Sequence, residues 1–251
     1  MFSSSLIVAF LCIGATYAAL PLPSYVKPCA RSDPGFEACA LDRARETIKH
    51  IVNGDRKYKI PVIDPLEITE IIVDNKGPEQ AGIDIKIRNA KFYGLKDTII
   101  ESIKLNYDEK SMHMDVRLPR IELNGEYEVK GRVLLLPITG KGPLNFTLEN
   151  APAQFDTDWI VENIDGSEFM SLTNSRLHHV EPTRVHYDLK NLFNGDKLLG
   201  PEMNAVLNEN WRESFKELAP PVIQALSTVI AGTVNSIAHA VEYKNVFPLN
   251  V

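Results

Sequence analysis

Two hydrophobic periods divide this chain. In its middle third, apolar residues recur at every second position. Ile83, Ile85 and Ile87 alternate with Asp84, Lys86 and Arg88. Met112, Met114, Val116 and Leu118 alternate with His113, Asp115 and Arg117, and Leu144, Phe146 and Leu148 alternate with Asn145, Thr147 and Glu149. Successive side chains of a strand point to opposite faces, so each run predicts a strand with one apolar and one wet face. Ile121, Leu123, Tyr127 and Val129 extend the pattern. Turn signals separate the runs at Asn75-Lys76-Gly77-Pro78, Asp108-Glu109-Lys110, Asn124-Gly125 and Gly140-Lys141-Gly142-Pro143. Such short connections predict an antiparallel meander. Val133 to Leu136 is apolar at consecutive positions, which predicts a strand covered on both faces or packed into a core.

From Gly200 to Val241 the period becomes helical. Met203, Val206, Leu207, Trp211, Phe215 and Leu218, then Val222, Ile223, Leu226, Val229, Ile230, Val234, Ile237, Ala238 and Val241, follow steps of three and four. Asn208, Glu209, Arg212, Glu213, Lys216 and Glu217 fall mostly on the opposite face of the first half. The second half has only Gln224, Ser227, Thr228 and Asn235 to solvate it, so something must wrap it. Forty helical residues would span roughly 60 Å, against a radius of gyration of about 17 Å for a compact domain of this size. Pro220 and Pro221 therefore predict a kink between two segments, with Pro221 in the first turn of the second. An earlier helix should start at the Asp33-Pro34 cap and end near Val52, before Asn53-Gly54.

A long antiparallel sheet with one apolar face, beside a long apolar helix, predicts an α+β fold. The sheet curls around the C-terminal helix. The interior is then long, narrow and apolar: a packed core, or a tunnel for a greasy ligand.

The chain has 251 residues and a net charge of −6. That charge argues against nucleic acid and against electrostatic docking on anionic membranes. Residues 1–18 carry no charged side chain, have an apolar core from Leu6 to Ile13, and end on Thr16-Tyr17-Ala18. This is the pattern of a secretory signal peptide, leaving one domain over residues 19–251. No other segment reads as long and apolar enough to span a membrane. Cys12 leaves with the leader, so in an oxidising compartment Cys29 and Cys39 have only each other as partners. His178, His179 and His186 invite a metal reading, but neighbours in a strand point to opposite faces. No G-x-S-x-G or H-E-x-x-H pattern appears, and no enzyme, metal or cofactor is expected.

Several stretches together resemble one insect family. They are Cys29-Ala-Arg-Ser-Asp-Pro-Gly-Phe-Glu-Ala-Cys39, Ile60-Pro-Val-Ile-Asp-Pro-Leu66, Leu123-Asn-Gly-Glu-Tyr127 and Gly131-Arg-Val-Leu-Leu-Leu-Pro-Ile-Thr-Gly-Lys-Gly142. Leu192-Phe-Asn-Gly-Asp-Lys197, Leu199-Gly200, Met203-Asn204, Leu207-Asn-Glu-Asn-Trp211 and Phe247-Pro248 complete the set. In this order they resemble the takeout and juvenile-hormone-binding proteins. The chain has no cysteines for the second disulfide of the moth haemolymph carriers, which places the resemblance nearer the takeout-like members. The resemblance implies an elongated, strongly curved antiparallel sheet around a long C-terminal helix. It also implies a secreted carrier of small hydrophobic ligands such as a terpenoid or fatty acid, linked to daily rhythm, feeding or hormone signalling. A secreted protein that acts by binding another protein, and an esterase-like enzyme, are the alternatives.

For the ligand, the helix offers Trp211, Phe215, Leu218, Val222, Leu226 and Ile230, several of them beside the proline kink. The sheet offers Ile87, Val116, Leu135 and Phe146, all expected to face inward. Asn145-Phe146-Thr147 is a glycosylation sequon, and the alternation turns Asn145 toward water.

Overall fold

The structure, a computed structural model, describes residues 19–75 and 82–251. The leader at residues 1–18 and the turn signal at 76–78 lie outside the described residues. Helix α1 (Phe36–Ile51) opens the fold. It starts later than the Asp33-Pro34 signal, because the Asp33 carboxylate is spent on a local turn, accepting from Gly35 N at 2.8 Å. Gly54, at φ +74°, closes the far end. Cys29 and Cys39 are bridged, which ties the preceding segment to the first turn of α1.

Seven strands form one antiparallel sheet: β1 (Leu66–Asn75), β2 (Ile83–Tyr93), β3 (Ile99–Asn106), β4 (Ser111–Val133), β5 (Leu136–Ile164), β6 (Ser167–His178) and β7 (Arg184–Leu189). It is not a simple meander. β4 and β5 pair along their whole shared length, from Ser111 opposite Asp158 to Val133 opposite Leu136. At the usual rise per residue β4 alone runs roughly 75 Å. Each long strand is flanked by two short ones set end to end: β3 and β2 along β4, β6 and β7 along β5. Register shifts at Arg88/Lys91, Ile100/Ser102 and Asp156/Asp158 bend and coil this ribbon.

Three sequence expectations fail here. Asn124-Gly125 and Gly140-Lys141-Gly142-Pro143 are not turns but lie within β4 and β5. Their glycines serve close approach: a Cβ on Gly125 would meet the Arg88 carbonyl at 3.0 Å, and one on Gly140 would meet Leu192 Cα at 2.8 Å. The turn falls instead at Leu134 and Leu135, both left-handed at φ +51° and +68°. The run Val133 to Leu136 is therefore a hairpin tip, not a covered strand.

The C-terminal run breaks into α2 (Leu199–Glu209), α3 (Trp211–Leu218) and α4 (Pro220–Ala238). Pro220 and Pro221 open α4, as expected of residues with no amide donor. The earlier break at Asn210 was not anticipated. There the backbone leaves helical values (φ −105°, ψ 38°) and the side chain donates to the Val206 carbonyl at 2.9 Å. By length and composition α4, with 19 residues, is apolar enough to cross a membrane, contrary to the expectation from sequence. In this fold it lies along the inner face of the sheet and buries Leu226, Ser227, Thr233 and Ala238.

Polar side chains fasten these helices to the sheet. Asn208 accepts from Tyr187 N and donates to Tyr187 O, both at 2.8 Å. One turn earlier, Asn204 does the same for Leu189 N and O at 2.9 Å. On α4, Asn235 accepts from Leu172 N at 2.7 Å, and Ser227 Oγ accepts from Leu177 N at 3.0 Å. The sequence reading left Asn208, Ser227 and Asn235 to solvent; they pair the open edges of β7 and β6 instead. A carboxamide carries one acceptor and two donors, so it can stand in for a neighbouring strand.

The outer face of the sheet carries a charged ladder. His113 Nδ1 donates to Asp156 at 2.6 Å, and His113 Nε2 to Asp115 at 3.2 Å. His178 Nε2 donates to the other Asp156 oxygen at 2.6 Å. His178 and His179 do not part to opposite faces: His179 is left-handed (φ +48°) and their rings lie 4.5 Å apart. Among the described residues no group of three or more His, Cys, Asp or Glu side chains is arranged to hold a metal ion. The hydrogen bond to Asp156 holds His113 above its usual 6.5, against burial. Burial pushes Asp156 up, but hydrogen bonds from His113 and His178 outweigh it and hold it below 3.8. Asp115 is held low chiefly by Ser102.

Two predictions follow from these contacts. Asn208→Ala strands a buried amide and carbonyl of β7 and should lower stability by about 2–3 kcal/mol; a loss under 1 kcal/mol in denaturant melts would show that water replaces the carboxamide. In the ladder, the His113 contribution is full below 6.5 and lost as pH rises through its raised folded value. The aspartate contributions are full above 3.8 and lost as pH falls. His113→Gln should therefore cost most near pH 5.5, by no more than about 1 kcal/mol at this exposure, and less at pH 8.5. Equal losses at both pH values in thermal melts would remove the charge from the explanation.

Candidate functional site

The inner faces of the sheet and helices do not meet completely. One cavity of about 110 Å³ lies between β2, β4, β5 and β7 on one side and α3 and the start of α4 on the other. A second, of about 170 Å³, lies between α1, β3, the first half of β4 and the middle of α4. Both have Leu118, Leu177 and Leu226 in their walls, so these leucines stand where the two meet. A water-sized unit takes about 10–15 Å³ on this scale, which gives the pair room for some twenty non-hydrogen atoms.

The walls are almost wholly hydrocarbon. Phe146 packs edge-on to Tyr187 (5.2 Å between centroids) and stacks on Phe215 (6.4 Å). Two tyrosines line the first cavity, with different fates. Tyr127 donates to the Lys190 carbonyl at 2.7 Å. The Tyr187 hydroxyl is buried and has no hydrogen-bond partner among the described residues. Burial pushes its pKa up, so it stays a neutral donor. Its strand is held on one edge by Asn208 and on the other by β5, so the ring cannot shift easily to relieve the orphaned group.

The residues anticipated from sequence divide clearly. Phe215, Leu218, Val222, Leu226, Ile87 and Phe146 line the first cavity, and Val116 and Ile230 join Leu226 around the second. Trp211 is buried but lines neither; Arg212 lies 4.4 Å over its ring. Leu135 is 79% exposed at the hairpin tip, so the inward orientation expected of it is wrong. The left-handed turn takes it out of the strand alternation. Asn145 does not stand open to water either. Its amide donates to Glu122 at 2.9 Å and to Asn124 at 2.7 Å, and a glycan would replace one of those hydrogens. Tyr187 was not anticipated: in Arg184-Val-His-Tyr-Asp-Leu189 nothing marks its hydroxyl as orphaned. Larger hollows of about 480 and 520 Å³ beside His113 and Asp115 are open and polar, on the outer face.

Comparison with known proteins places the chain. Residues 6–248 match the haemolymph juvenile hormone binding protein family. The chain belongs to that family. Among curated relatives, the circadian clock-controlled protein daywake of Drosophila melanogaster is 25% identical over 238 residues, covering 90% of this chain and 88% of that protein. Its Drosophila yakuba counterpart is 23% identical, covering 92% and 90%. The crystal structure of Takeout 1 from Epiphyas postvittana superposes with a TM-score of 0.79 at 24% identity, covering 89% of this chain and all of that one. Takeout 1 thus shares the fold.

If the Tyr187 hydroxyl is unpartnered in the free protein, Tyr187→Phe should leave stability unchanged or raise it by up to about 1 kcal/mol. A loss greater than that in chemical denaturation would reveal a partner for the hydroxyl.

Proposed function

We propose that this protein is a secreted carrier that holds one elongated hydrophobic molecule across the two cavities. The observation that carries this reading is the Tyr187 hydroxyl, a buried donor without a partner among the described residues, in a wall of hydrocarbon. Tyr107 and Trp159, packed with Phe247, also carry buried donors without a partner among the described residues, but of the three only Tyr187 stands in the wall of either cavity, where a bond left unmade costs about 1–3 kcal/mol. A ligand with an acceptor removes the cost. The ligand class is therefore a terpenoid or long acyl chain with one carbonyl, ether, epoxide or hydroxyl oxygen, juvenile hormone being one candidate. Family membership supports the carrier role, and the leader pattern over residues 1–18 supports secretion into haemolymph or another extracellular fluid. A role under the daily clock is supported by the clock-controlled relatives. No catalytic role is assigned to any residue.

Twenty heavy atoms at roughly 0.3–0.5 kcal/mol each give about −6 to −10 kcal/mol, hence micromolar to sub-micromolar binding. The test is titration with fluorescent fatty-acid and terpenoid probes alongside thermal melts. Wild type should bind; Leu226→Trp should block binding with little loss of stability. Tyr187→Phe should weaken an oxygen-bearing ligand about tenfold, the worth of one buried hydrogen bond, and leave a plain hydrocarbon unaffected. If wild type binds no apolar probe and Leu226→Trp unfolds early, the interior is a packed core and the carrier reading fails.

A further inference from the structure

The β4–β5 hairpin tip carries a side chain, that of Leu135, that neither its backbone nor its packing calls for. Two left-handed residues in a two-residue hairpin favour Asn-Gly, yet Leu134 and Leu135 occupy them. Leu134 has a packing role: it rests against the core, and its N–H donates to the Glu217 carboxylate at 3.1 Å. Leu135 has none. It is 79% exposed, the next residue, Leu136, is 41% exposed, and Pro137 is exposed beside them. Behind this apolar tip stand Lys130 and Arg132 on β4 and Lys141 on β5, all exposed and none in an ion pair among the described residues. Against these three cations stand Glu217, which accepts from Leu134 N at the tip, Asp84, opposite Lys130, and Glu128, opposite Lys141 but turned to Arg88 at 3.7 Å. A local excess of cations thus backs an apolar point on a chain whose net charge is −6.

We propose that this tip docks on the surface of an anionic phospholipid bilayer. Leu135 and Leu136 enter the boundary between headgroups and acyl chains. Lys130, Arg132 and Lys141 stay at the level of the phosphates, with their aliphatic stems along the apolar tip. A second copy or another protein fits the patch less well, because a stable interface takes roughly 800 Å² from each partner and a convex hairpin tip offers far less. The position gives the docking a use. Val133 and Ile138, just inside the tip, line the first cavity, so the docked end is the one nearest that cavity. The inference goes beyond the carrier reading and stands without it, since a bilayer is bound from outside the sheet.

The experiment is flotation of the mature chain, residues 19–251, with vesicles of phosphatidylcholine alone or mixed with phosphatidylserine, at low and high salt. Wild type should bind the mixed vesicles about tenfold more tightly than the neutral ones, and salt should remove the difference. Leu135→Gly suits the left-handed turn, so it should keep or raise the unfolding midpoint while lowering vesicle binding about tenfold. Lys130→Glu with Arg132→Glu should abolish the preference for the mixed vesicles. Apolar-probe binding, read on the same samples, should be unchanged by either variant, which separates this inference from the carrier reading. Failure of wild type to float with either vesicle overturns the proposal, as does equal flotation of Leu135→Gly. So does a vesicle-free dimer that Leu135→Gly dissociates, which would make the tip a contact between copies.

Discussion

An open sheet edge must satisfy its outward amides and carbonyls, and here the C-terminal helices do it. Asn204 and Asn208 serve β7, and Ser227 and Asn235 serve β6. These side chains hold one margin of the curled ribbon against the helices at fixed points. Between those points the spacing of helix and sheet is set by side-chain bulk alone. On the other margin, Arg45 of α1 donates to the Ile100 carbonyl of β3 at 2.8 Å. The interior therefore follows from how two margins are pinned, and the gaps lie where large residues on one wall do not reach the other.

This accounts for the contrast between Trp211 and Phe215. Both lie on the apolar face of α3, and both are buried. Trp211 sits at the first residue after the break at Asn210, whereas Phe215, one turn on, stacks on Phe146 across the cavity. The same pinning holds Tyr187. A tyrosine free to move would turn its hydroxyl toward a carbonyl, as Tyr127 does with Lys190; Tyr187 sits in a backbone segment bonded on both edges.

Much of the fold is legible in the sequence because it rests on periods. The alternation around Ile83, Met112 and Leu144 and the three-and-four spacing after Met203 need no tertiary information, and together they demand a sheet curled on a helix. What is not legible depends on neighbours distant in the chain. Gly125 and Gly140 look like turn residues because glycine favours turns; only the approach of Arg88 and Leu192 reveals their other use. Asp165-Gly166, at φ +51° and +86°, makes the β5–β6 turn, whereas the β4–β5 turn is built from leucines that no turn rule selects. Asn208 and Asn235 read as solvated because their partners are backbone atoms of other strands. The helix side of the cavity was readable from one face of one element. Tyr187 was not, since an orphaned hydroxyl is defined by everything that fails to reach it.

The leucines shared by the two cavities bear on time as well as on fit. A molecule lying in both has Leu118, Leu177 and Leu226 folded about its middle. To leave by either end it must drag the far half of its length past branched side chains that are themselves packed into three different elements. Rotamer changes of such side chains require their neighbours to make room, because protein interiors are packed as densely as organic crystals. Departure is then paced by the breathing of the wall, while the strength of binding is set by the area covered. Two molecules of equal affinity but different length would part from this protein at different rates, the longer one staying because its exit must wait for motions that it does not itself drive.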